Sequence, residues 1–184
     1  MKSPRTNSRE KILVAAADVA RETGPGSLSL EAVASRAGVS KGGLLYNFPS
    51  KAKLMQALVQ GYLREFEQAL ENARSASKDC EPLLSVYIRL AARECDETKA
   101  SASWIFSAIA EDPDFLDPIK AFRRQLFNRL KAETPDLQAL LICYLAIEGL
   151  RSMNLFDSDI LSPAERQTLV TSLLAVAGGT AAAH

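Results

Sequence analysis

Within a dozen positions the chain groups Ser40, Lys41, Gly42, Gly43, Tyr46, Asn47 and Lys51. As a set these residues suit contact with an anion. A serine hydroxyl and the free N–H groups at a helix start donate to phosphate oxygens, and Lys41 and Lys51 add positive charge. Tyr46 offers its hydroxyl to a phosphate or its ring to a thymine methyl. Gly42 and Gly43 remove side-chain bulk where a short helix begins, so that a DNA backbone or base edge can come close. Each glycine costs a helix about 0.5–1 kcal/mol relative to alanine. Lys51 sits in the first turn of its helix, where the dipole favours acids instead. Both defects have one explanation if this segment approaches an anion. Asn47 has the donor and acceptor pattern that pairs with adenine; capping its own helix is the other reading.

The residues that are absent narrow the chemistry further. The only histidine is His184, the final residue, so no Ser-His, Cys-His or His-carboxylate machinery can be built inside the chain. The sequence shows no phosphate loop and no metal-ligand spacing, and the expectation is a protein that is not an enzyme, with no cofactor and no metal. Cys80, Cys95 and Cys143 are odd in number and form no C-x-x-C pair, which fits buried thiols in a reducing compartment. The basic N-terminus before ILVAAADVA imitates a signal peptide, but Glu10 and Asp18 and the helical recurrence of Ile12, Ala16 and Val19 favour an amphipathic helix. No stretch approaches the ~20 apolar residues that span a membrane. A cytoplasmic location is expected. Net charge is zero overall, but residues 1–53 carry +5 and the remainder −5. That asymmetry suggests a basic module for an anionic partner.

Helical periodicity runs throughout and no window alternates as a strand, so the expected fold is all-α. A first helix covers about 7–23 and stops at Thr23-Gly24-Pro25-Gly26. Ser29 caps a second helix of about 30–36, whose Glu31 favours the dipole, and Gly38 breaks it. Ser40 caps a third, of about 41–47, which Pro49 terminates. Ser50 caps a long fourth helix to about 76. The second helix, the turn at Ala37-Gly38-Val39 and the third helix form a helix-turn-helix candidate. Leu30, Val33, Ala34, Val39, Leu44 and Phe48 are its expected core. Further helices are read at about 81–95, 101–111, 115–132, 137–156 and 162–177. The last opens with Ser162, Pro163 and Glu165 in capping-box positions. Residues 111–117, EDPDFLD, read as a solvated acidic loop, a metal site being the distant second reading, and the terminal GGTAAAH as a frayed tail.

The stretch SLSLEAVASRAGVSKGGLLYNFPSKAKLMQAL resembles the DNA-binding signature of TetR-family transcriptional regulators. The matching elements are Ala37-Gly38-Val39-Ser40, then Lys41 to Phe48 with its glycine pair and Tyr-Asn-Phe close, then Pro49-Ser50-Lys51. They cover about the first third of the chain. The resemblance implies a helix-turn-helix headpiece, here 6–53, joined by the fourth helix to a helical ligand-binding and dimerisation domain, here 54–178, with about nine helices in all. It implies a homodimeric repressor that leaves a palindromic DNA operator when a small molecule binds. An activator or partner-controlled regulator with the same headpiece is an alternative. A helical ligand-binding module that no longer binds DNA is another, against which Lys41, Tyr46 and Lys51 speak. By resemblance Ser29 touches phosphate, and Ser40, Lys41, Gly42, Gly43, Tyr46 and Lys51 carry groove and backbone contacts. Relatives often have histidine where this chain has Asn47.

The rest of the chain is less specific. Helix 137–156 is apolar nearly all round until Glu148, as expected when both faces are buried. The family pairs its last two helices with those of a second copy. Leu141, Leu145 and Arg151, with Leu169, Leu173 and Val176, are the expected dimer surface. Tyr87, Trp104, Phe106, Phe122 and Tyr144, with Glu148, are the candidates for a ligand pocket, plain core being the competing role of the aromatics. Glu148 and Arg151 need polar partners if buried: an ion pair within the chain, one across the dimer, or a polar ligand.

Overall fold

The computed structural model describes residues 8–76, 81–97, 108–156 and 158–179. Among them every regular element is helical: α1 (Ser8–Thr23), α2 (Leu30–Ala37), α3 (Lys41–Asn47), α4 (Lys51–Ala76), α5 (Leu83–Glu97), α7 (Asp117–Glu133), α8 (Leu137–Leu155) and α9 (Pro163–Ala177). Between α5 and α7 the described end of α6 is 108–111. Short 3-10 turns lie at Pro25–Ser27 and Pro113–Leu116.

Capping chemistry sets most of the boundaries. Ser29 accepts from the Ala32 amide at 3.1 Å and Ser40 from the Gly43 amide at 3.0 Å. Ser50 accepts from the Lys53 amide at 3.1 Å. Each hydroxyl satisfies an amide that the first helical turn leaves unpaired. Asp136 does the same for α8 with two amides, and Ser162 with Glu165 completes the capping box of α9. Gly38 ends α2 at φ +65°, a left-handed conformation that a residue with a Cβ adopts only under strain.

The chain divides into two compact units. The first holds residues up to Leu63 together with 101–120; the second holds 64–100 and 121–184. The core of the first is built from Ile12, Ala16 and Val19 of α1, Val33 of α2, Leu44 of α3 and Leu54 of α4. Of the expected helix-turn-helix core, Val33, Ala34, Leu44 and Phe48 are buried, and Leu30 and Val39 pack against them half-buried. Arg36 of α2 makes a two-pronged contact with Glu22 of α1, at 2.5 and 2.7 Å.

The first unit runs past residue 53 along α4 and takes in the described residues 108–120, and the reading of 111–117 as a solvated loop is corrected. Phe115 is buried to 1% in the core of the first unit, beside α4 residues Leu54 and Met55. Gln56 of α4 donates to the carbonyls of Asp114 and Phe115, at 2.9 and 3.3 Å. Lys53 pairs with Asp112 at 2.6 Å. A phenylalanine of that size is buried wherever apolar surface is open to it, and its acidic neighbours then find partners on α4.

The second unit is packed around α5 and α8, with Tyr87, Ile88, Leu130, Leu140, Ile147 and Leu173 at its centre. Arg129 pairs with Glu71, and Arg74 with Glu133 at 2.7 Å, which ties α4 to α7. Arg166 of α9 pairs with Asp159 and reaches Asp96 of α5 at 3.5 Å.

Candidate nucleic-acid interface

The first unit presents the starts of α2 and α3 beside one another. Glu31, in the first turn of α2, meets Lys41, the first residue of α3, with 2.7 Å between Oε1 and Nζ. The ammonium group donating to Glu31 holds its carboxyl below the usual carboxylate range. Ser29 and Ser40 cap the two helices and are exposed.

The two glycines turn out to be unlike. A Cβ on Gly42 would meet only the Ser40 hydroxyl, at 3.9 Å, which is ordinary contact. Neither backbone geometry nor packing in this chain demands a glycine there. A Cβ on Gly43 would press on the same hydroxyl at 3.3 Å, and the Gly43 amide is the one that Ser40 caps. Gly43 therefore has a use inside the protein, and Gly42 has none that the described neighbours supply. Tyr46, one turn beyond Gly42, is 89% exposed. A phenol standing that far into solvent contributes nothing to the core.

Two candidates are engaged with the protein itself. Asn47 donates its amide to the Gly43 carbonyl at 2.8 Å, the local bond by which short polar side chains hold a helix end. Lys51 donates from Nζ to the Gly26 carbonyl at 3.2 Å, bridging the start of α4 to the turn between α1 and α2. An ammonium has three donors, so this bond leaves Lys51 able to take a phosphate oxygen as well. Glu31 was absent from the expected contacts. Its place in the first turn of α2 was legible as favouring the helix dipole, but its meeting with Lys41 depends on the angle between α2 and α3.

Residues 12–58 match the family of bacterial regulatory proteins called tetR. Residues 81–178 match the tetracyclin repressor-like C-terminal domain. The chain belongs to the TetR family. Nucleoid occlusion factors SlmA from Shewanella sp. (strain W3-18-1) and Shewanella baltica (strain OS155) are 31% identical over 96 residues, 50% of this chain and 48% of theirs. The chain thus spans about half the length of the curated relatives it matches. Among solved structures, the multidrug binding protein EbrR with ethidium superposes with a TM-score of 0.66 at 20% identity, over 92% of this chain and 99% of that one. The TetR-family transcriptional regulator SCO4454 from Streptomyces coelicolor gives 0.65 at 17% identity, over 94% and 93%. At these identities the structures attest the fold.

In the TetR-type C-terminal unit, three of the six pocket candidates meet. The Tyr87 hydroxyl donates to Glu148 Oε1 at 3.1 Å, and the Tyr87 and Tyr144 rings stack with centroids 5.8 Å apart. Burial, with the Glu148 charge adding to it, pushes the Tyr87 hydroxyl well above the usual tyrosine range. Glu148 also meets Arg123 Nε at 2.8 Å. Phe122 packs edge-on against Phe66 instead, and it lines a small cleft of about 80 Å³ with Glu67, Leu70, Gln125, Leu126 and Arg129. Trp104 and Phe106 lie outside the described residues.

The candidate dimer residues differ in exposure within one chain. Leu141 and Leu145 are exposed on α8. Leu173 is 4% exposed and belongs to the core, and Leu169 and Val176 pack half-buried against it. Arg151 turns inward: it meets Glu94 at 3.0 Å and Glu148 at 3.6 Å, with its guanidinium 4.6 Å above the Phe66 ring. Of the three roles open to Glu148 and Arg151, the structure shows the ion pair within the chain. Leu137 and Ile142 of α8 are exposed as well.

Proposed function

We propose that this TetR-family chain is a DNA-binding regulator, a homodimeric repressor that leaves a palindromic operator when a small molecule binds its C-terminal unit. The observation that carries the reading is the start of α3. Gly42 is open and Tyr46 stands in solvent, and neither serves the fold. Exposed aromatic and side-chain-free positions at the head of a short helix are what a major groove accepts. Ser29, Ser40, Lys41, Gly43 and Lys51 flank that surface with donors for phosphate. Asn47 donates one amide hydrogen to the Gly43 carbonyl, which ties its side chain to the helix end.

Support for dimerisation comes from α8, where Leu137, Leu141, Ile142 and Leu145 form an exposed apolar stripe. Such a stripe on a soluble helix is costly unless a partner covers it. Ligand response rests on the Tyr87–Glu148–Arg123 group, a polar cluster set against the apolar core of that unit.

The test is gel retardation of the DNA upstream of the protein's own coding region, beside selection from a random duplex pool at low salt. Retention of a palindrome, relieved by an extract fraction of small molecules, is expected. Binding without any sequence preference in both assays overturns the reading.

A further inference from the structure

We propose that Glu31 is a positioning residue for DNA discrimination, holding the Lys41 ammonium so that it reaches phosphate only when the headpiece is seated in the correct register. The proposal rests on the reading of Lys41 as a phosphate contact. Three observations lead to it.

First, the contact itself carries little of the fold, and the service of Glu31 to α2, at the end of the helix dipole that favours an acid, does not need Lys41. Both side chains are well exposed, 65% for Glu31 and 60% for Lys41, and an exposed pair of this kind adds little to stability. Second, the pair spans the starts of α2 and α3, between the capping serines Ser29 and Ser40. This is the surface on which the headpiece gathers its phosphate donors. Third, a carboxylate is acceptor-only, and phosphate is an acceptor too, so Glu31 gains nothing from the DNA backbone. An acid at such a place lowers affinity unless it does something else there.

Its effect is to restrict Lys41. A free lysine is a flexible point charge that finds a phosphate in almost any docking register. Bonded to Glu31 at 2.7 Å, the ammonium keeps two donors, directed away from the carboxylate. A phosphate on that far side can complete a carboxylate–ammonium–phosphate bridge. A phosphate elsewhere meets an occupied lysine and the Glu31 charge. DNA docked in many registers therefore loses the Lys41 contact on average. An operator positioned by Tyr46 and the helix-start donors keeps it. Like-charge contact against wrong partners is a recognised source of specificity.

The experiment compares wild-type protein with Glu31→Gln, Lys41→Ala and the double variant. Each is titrated over a range of salt on a duplex selected by the wild type and on a scrambled duplex of equal length. Glu31→Gln is expected to tighten scrambled-duplex binding by about 3–10-fold at low salt and to steepen its salt slope by roughly one unit, because a phosphate contact is gained. Operator binding should change by less than about 2-fold, so the specificity ratio falls. In the Lys41→Ala background the same change should leave the slope unmoved, since Glu31 acts through Lys41. Thermal melts should agree among the four proteins.

Loss of operator affinity in Glu31→Gln, with relaxed choice at one base pair, would overturn the proposal and make Glu31 a reader of the cytosine amino group. If Lys41→Ala lowers the slope but Glu31→Gln leaves the ratio intact, the role of Glu31 fails alone. If Lys41→Ala leaves the slope unchanged, the Lys41 contact itself fails, and with it this inference.

Discussion

At the scale of single residues, Gly42 separates what the chain needs from what its partner needs. The unfavourable helix propensity of both glycines was legible in the sequence, because propensity is a local property. Which glycine serves the protein was not, since that depends on where the Ser40 hydroxyl turns. Gly42→Ala places a methyl group 3.9 Å from that hydroxyl and clashes with nothing among the described neighbours. The variant should be more stable by about 0.5–1 kcal/mol, from helix propensity alone, while its operator affinity falls by about tenfold or more as the methyl meets DNA. Melting and gel retardation on one sample check both halves. Undiminished operator binding would remove α3 from the groove. Lys51→Ala tests a different question, because its ammonium is bonded to Gly26. A phosphate role lowers the salt slope by roughly one unit for every duplex. An unchanged slope with a lower melting temperature would assign Lys51 to the α1–α2 turn.

Helix boundaries were readable to within about two residues, because Ser29, Ser40, Ser50, Asp136 and Ser162 announce them chemically. The 3-10 turn at Pro113–Leu116 was not readable, for physical reasons. Its acidic residues match solvated-loop composition, and a lone phenylalanine has no periodicity. Its burial is in a core shared with α4, more than fifty residues earlier in the chain. Phe115→Ala is accordingly expected to cost about 3–5 kcal/mol in denaturant titration, as for other fully buried phenylalanines. A loss below about 1 kcal/mol would place Phe115 outside that core. The Lys53–Asp112 pair adds a pH dependence of known sign. The lysine's hydrogen bond holds the Asp112 carboxyl below its ordinary range, so the unfolded chain binds its proton more readily. The pair's contribution is complete above about pH 4, the ordinary aspartate value, and is lost as pH falls through the lowered one. Lys53→Met should flatten this part of the acid limb in a stability profile. An identical limb in the variant would show that the pair is inert.

For the whole molecule, the +5 of residues 1–53 and the −5 of the remainder find different uses. The basic segment holds α1 to α3 and the candidate donors for phosphate, and much of the acidity of the remainder is spent on internal pairs such as Glu94–Arg151 and Glu148–Arg123. Helical pattern alone read α8 as buried on both faces, and the structure leaves one face covered and one bare. The bare face carries Leu137, Leu141 and Leu145, successive i, i+4 neighbours, and Ile142 beside them. Leu145 is 64% exposed, so Leu145→Arg should leave the stability of one chain within about 0.5 kcal/mol of wild type. The same charge buried between two copies lacks a counter-ion and should hold them apart. A palindrome read by two headpieces needs its half-sites about 34–36 Å apart or a multiple of that, and a monomer forfeits one of them. Leu145→Arg is thus expected to sediment as a monomer and to bind a half-site and the full operator with similar affinity. Leu173→Ala supplies the contrast: being core, it should cost about 2–5 kcal/mol of stability without changing sedimentation of the folded fraction. If Leu145→Arg remains dimeric and Leu173→Ala dissociates, the interface lies on α9 and not on the bare face of α8.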